Sequence, residues 1–120
     1  MNFRFRNVSY PKTVRVPDQQ TALKYLKPGV IVLVMPGQRP KSIKLLCPCG
    51  CREIISINLM PQAGQAWRVE YEPTRGLSLW PSVWLDAGCK SHFILRWNNA
   101  KLLSYKRVRK KGARTYSPAT

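Results

Sequence analysis

The stretch "LLCPCGCREI", residues 45–54, sets three cysteines on alternate positions within five residues. Only one other cysteine occurs, Cys89, and the one histidine, His92, stands three residues beyond it. Residues 43–55 read as two strands joined by a tight turn. Pro48 fixes one φ and Gly50 permits a positive one, which suits a turn that presents thiols to a metal ion. Such a turn is one half of a zinc site. "GCKSHF" (88–93) offers the other half, with Gly88 allowing the bend. Two half-sites far apart in sequence and joined by the fold give tetrahedral sulfur and nitrogen coordination of structural Zn²⁺.

Cys47, Cys49, Cys51, Cys89 and His92 are five candidates for four positions. Either all four cysteines bind and His92 stands outside the ligand ring, or His92 binds and one clustered thiol is spare. The compact C-x₂-H half-site favours His92; which thiol is then spare stays open. The metal ties together a small domain made of many short pieces. Asp86 and Glu53, near the cluster in sequence, read as solvated charges.

The 120 residues fit one domain, 44% hydrophobic, with 21 Lys+Arg against 5 Asp+Glu for a formal charge of +16. That charge points to a polyanionic partner: nucleic acid first, then an acidic surface or protein. No apolar run follows the basic start of the chain as in a secretory signal, and "VIVLVM" (30–35) is far too short to span a bilayer. The expectation is a cytoplasmic protein with reduced thiols.

The rest of the pattern is strand-rich. "FRFRNVSY" (3–10), "KTVRV", "VIVLVM", "KSIKLL", "REIISINLM" and "WRVEYE" read as strands, "LSLWPSVWL" as strands broken at Pro81, and "SHFILRW" and "KLLSY" as a hairpin across Asn98–Asn99. One helix is expected in "PDQQTALKYL", with Asp18 as its N-cap. The fold class is α+β and β-rich: a small zinc-stapled antiparallel sheet domain with one short helix, over residues 1–105. Residues 106–120 form a basic C-terminal tail.

Metal-dependent catalysis finds no support in the motifs. There is no His-x-Glu with Pro-Cys-x-x-Cys for a deaminase and no His-Glu-x-x-His for a zincin. No phosphate-binding loop and no Ser-His-Asp set can be assembled. The reading is therefore a non-enzymatic module with no catalytic residue. It contacts nucleic acid, DNA or RNA, through Arg4, Arg6, Lys101, Lys106, Arg107, Arg109, Lys110, Lys111 and Arg114, a set that merges into one surface if the first strand lies beside the last hairpin. Trp80, Trp84 and Trp97 read as core and strand-pairing residues. No membrane contact and no small-molecule substrate is evident.

"LCPCGCREIISINL", "PSVW" and "GCKSHFILRWNNAKL" together resemble a family of small bacterial proteins of unknown function that carry a C-P-C-G-C turn and a later G-C-x-S-H-F segment. The resemblance covers residues 42–103. It implies metal binding by Cys47, Cys49, Cys51, Cys89 and His92. Some members are encoded beside ubiquitin-like conjugation genes, so the alternative function is a protein adaptor or inhibitor in a bacterial ubiquitin-like conjugation or defence system.

Overall fold

The computed structural model describes residues 6–107. Ten strands and one α-helix form two four-stranded sheets and a hairpin. The strands are β1 (Arg6–Ser9), β2 (Lys12–Val16), β3 (Val30–Val34), β4 (Ser42–Leu46), β5 (Ile54–Asn58), β6 (Arg68–Glu72), β7 (Gly76–Trp80), β8 (Val83–Trp84), β9 (His92–Arg96) and β10 (Asn99–Ser104). The helix α1 spans Gln19–Tyr25. The β-rich α+β architecture with one short helix is the one expected.

One sheet runs β2-β3-β4-β5 and the other β1-β10-β9-β8, with β6-β7 as the separate hairpin. All pairs are antiparallel except β2 with β3. That parallel pair needs a crossover, and α1 supplies it. The Asp18 carboxylate accepts the Thr21 amide at 2.7 Å and starts the helix. Ala22, fully buried, seats it on the sheet.

β3 explains the layering. Every residue of Val30–Val34 is buried. Strand side chains alternate faces, so Ile31 and Leu33 enter the main core while Val30, Val32 and Val34 pack with Ala22 under the helix. The main core also takes Phe93 and Leu95 from β9, Leu77 and Leu79 from β7, and Leu45 and Ile57 from β4 and β5. It thus joins both sheets and the hairpin.

The last hairpin turns at Trp97–Asn98, one residue earlier than expected. Both residues have positive φ, 47° and 62°, the conformation that lets a two-residue loop match strand twist. Asn98 also ties three segments together. Its Oδ1 accepts the Leu77 amide at 2.7 Å, and its Nδ2 donates to Tyr10 O at 2.9 Å and Thr13 Oγ1 at 2.8 Å.

β1 does pair with β10, and this strand pair carries two of the expected cations, Arg6 and Lys101. Arg6 stands opposite Leu102 and Lys101 opposite Asn7, so the two cations belong to alternate faces of the sheet. Lys106 follows β10, and its amide donates to Cys89 O at 2.6 Å. Arg107 is exposed, while Arg4, Arg109, Lys110, Lys111, Arg114 and most of the expected tail lie outside the described residues. No helix among the described residues is long and apolar enough to cross a membrane.

Candidate functional site

The cysteine turn forms as its residue types suggest. The Cys47 amide donates to Glu53 O at 2.9 Å and closes the β4–β5 ladder, and the Gly50 amide donates to Cys47 O at 3.1 Å across the turn. Pro48 occupies the second turn position and Gly50, at φ +95°, the fourth. The second turn spans 87–90, closed by the Lys90 amide on Ala87 O at 3.1 Å. Gly88 has φ +64°, and a β-carbon there would stand 2.7 Å from Glu53 Oε1. Gly88→Ala is therefore expected to lower stability by about 1–2 kcal/mol for the left-handed backbone alone, with more from the contact. A shift of the urea midpoint measures it.

The four sulfurs of Cys47, Cys49, Cys51 and Cys89 lie within 4.8 Å of one another. Cys47 Sγ is 3.5 Å from Cys49 Sγ and 3.6 Å from Cys89 Sγ. Tetrahedral binding of one ion at about 2.3 Å per sulfur sets sulfur–sulfur separations of about 3.8 Å. The four thiols, none of them in a disulfide, fit that geometry and can hold a metal ion. Their mutual hydrogen bonds divide the protons unevenly. Cys49 is pushed down by the Cys47 thiol, and the same thiol draws Cys89 down to about 7. Cys47 is pushed up by its bond to Cys49. Ser91 Oγ, fully buried, is 3.2 Å from Cys47 Sγ and 3.1 Å from Cys89 Sγ.

Glu53 corrects the expectation of a solvated charge. It is 2% exposed, and neither carboxylate oxygen has a hydrogen-bond partner among the described residues. Burial, and then the Cys89 sulfur, push its carboxyl upward.

His92 stands apart from the sulfurs. Ser91 and Phe93 face the core, so the pleat turns His92 to the opposite side of β9, with Ile94 and Arg96. There its Nε2 lies 2.9 Å from Ser82 Oγ. The indole of Trp84 stacks on the imidazole, with centroids 4.4 Å apart and planes within 6°. Trp84 is 68% exposed, not the core residue expected. Trp84 pairs directly with His92 across β8–β9, which places Ser82, two residues earlier, on the same face as a diagonal neighbour. Trp67 Nε1 donates to Ser82 O at 3.1 Å and fixes the backbone under the hydroxyl. No carboxylate bonds to His92 among the described residues.

A serine hydroxyl on a histidine nitrogen is the contact that nucleophilic catalysis requires, and the fold and site define a small β-rich domain, gathered around four thiols, that carries this pair. Residues 17–103 match the model of the family BubE, described as a bacterial ubiquitination-like system serine protease. The chain belongs to that family. No curated protein and no solved structure matches it. The family assignment overturns the expectation of a non-enzymatic module, since its description names a peptide-bond-cleaving enzyme. It also places the chain in the ubiquitination-like setting that the resemblance implied. No Ser-His-Asp set could be assembled from the sequence, and in the structure no carboxylate joins the Ser82–His92 contact among the described residues. The usable signal was the single histidine together with the serine of "PSVW".

Proposed function

We propose that the protein cleaves peptide bonds in a protein component of a bacterial ubiquitination-like system, with Ser82 as nucleophile and His92 as general base. The observation that carries this is the 2.9 Å contact between Ser82 Oγ and His92 Nε2 in a chain of a serine protease family. Ser82 donates its proton to Nε2 as Oγ attacks the scissile carbonyl carbon. The resulting imidazolium returns that proton to the leaving amine, which departs as the carbon–nitrogen bond breaks. A water then repeats the sequence: His92 takes its proton, hydroxide adds to the acyl carbon, and Ser82 leaves with the proton restored. The stacked Trp84 ring holds the imidazole plane, one of the tasks an acid performs in a triad. The formal charge of +16 suits an acidic protein substrate.

In this reading the four cysteines bind Zn²⁺ as a closed structural site, since sulfur fills every position and none is left for water. The ion supplies rigidity. It ties the β4–β5 turn to the 87–90 turn, whose Cys89 stands three residues before the general base.

A fluorophosphonate probe tests the assignment. The expected result is one covalent adduct, located on Ser82 by peptide mass spectrometry and lost in His92→Ala. An adduct on another serine, or none, would refute the dyad.

A further inference from the structure

Two sheet edges face one groove beside Ser82. In the β4–β5 ladder Cys47 N bonds Glu53 O and Leu59 N bonds Lys41 O. Bonded pairs alternate along an antiparallel ladder, so Ile55 and Ile57 bond to β4 and the amide and carbonyl of Ser56 point away from it. Asn58 O, on that outer side, accepts the Trp67 amide at 2.9 Å. The same parity holds for β8. Leu85 N bonds Ser91 O at 2.9 Å, so Val83 bonds to β9 and the amide and carbonyl of Trp84 face outward.

Both outer edges open on a cavity of about 250 Å³ lined by Ser56, Asn58, Trp67, Val83, Trp84 and Leu85. Trp67 bridges the two edges, through its amide to Asn58 O and through its indole to Ser82 O. Exposed edges are usually blunted by charge, proline or a bulge. Neither β5 ("IISIN") nor β8 ("VW") holds a charged residue or a proline.

We infer that this groove receives the substrate as an added β-strand: an extended polypeptide segment pairs its backbone with Trp84 and Ser56 and so runs past Ser82. The inference rests on the protease reading of Ser82 and His92. Backbone pairing fixes the scissile carbonyl along the strand axis. The mainly apolar lining takes alternate side chains.

The test uses the full chain as Ser82→Ala, labelled with ¹⁵N, and the blocked peptide acetyl-Thr-Leu-Thr-Leu-Thr-amide. The expected result is perturbation and slowed exchange of the Ser56 and Trp84 amides. Single N-methyl groups along the peptide weaken binding about ten-fold or more at the positions whose amides face Trp84 on one side and Ser56 on the other, because each removes one backbone donor. Equal tolerance of N-methylation at every position overturns the inference. So does an absence of response at those two amides up to millimolar peptide, or a concentration-dependent dimer of this chain filling the groove. Fluorophosphonate labelling of the unaltered protein separates the two claims. Labelling of Ser82 without strand pairing leaves the dyad standing and removes the groove. Strand pairing without labelling does the reverse.

Discussion

Ser82→Ala lowers kcat/KM for the protein substrate by about a thousand-fold or more, with no matching loss of stability. Ser82 is partly exposed and its hydroxyl contacts the imidazole, so removing it creates no cavity in the main core. His92→Ala falls to the same level, and the double variant falls no further, because a nucleophile and its base act as one unit. Trp84→Ala keeps the chemistry but frees the ring, and about a ten-fold loss in kcat is expected from disordered positioning. Progress curves on these variants, set beside thermal unfolding, settle the point. A Ser82→Ala protein that still cleaves would place the nucleophile elsewhere.

The second large effect concerns stability. Changing any one of Cys47, Cys49, Cys51 or Cys89 to serine removes bound metal in full stoichiometry and destabilises the domain. His92→Ala leaves the metal in place. Joining Cys47 to Cys89 closes a loop across 42 positions, and a cross-link of that span is worth about 4 kcal/mol through the unfolded chain. Elemental analysis with chemical denaturation measures both quantities. The pH dependence has a fixed sign. Metal binding needs thiolates, so the stabilisation is present at high pH and is lost as pH falls. The Cys47 thiol already draws Cys89 down to about 7; a bound cation favours the thiolate further, and metal release is expected on the acid side of neutrality. Retention of one equivalent of metal by a Cys51→Ser protein, with loss in His92→Ala, would return the histidine to the ligand set.

The two effects separate because the sulfurs and the dyad occupy opposite faces of β9. That separation was not legible in the sequence. Cys89 and His92 have the spacing of a metal half-site, and only the start of β9 at His92 turns the ring away from the sulfurs. Ser82 was hidden for a related reason. β8 is two residues long, so its pairing with β9, which creates the contact, has no periodic pattern to announce it. The cysteine turn was legible because Pro48 and Gly50 constrain it locally. β3 and the Asp18 cap were legible for the same kind of reason: an apolar run and a capping residue act within a few positions. The parallel β2–β3 pair and the burial of Glu53 depend on long-range packing that no local pattern carries. The cationic residues were visible, but the β1–β10 register decides which of them share a face.

The order of the site along the chain has a consequence for biosynthesis. Ser82 lies inside the span closed between Cys47 and Cys89, and His92 lies just outside it. A ribosome therefore makes the nucleophile before the last sulfur, and the last sulfur before the base. Until His92 has emerged and β9 has paired with β8, the growing polypeptide holds a serine no more reactive than any other. On the proposed dyad, hydrolytic capacity arises only when nearly the whole domain has been synthesised and folded.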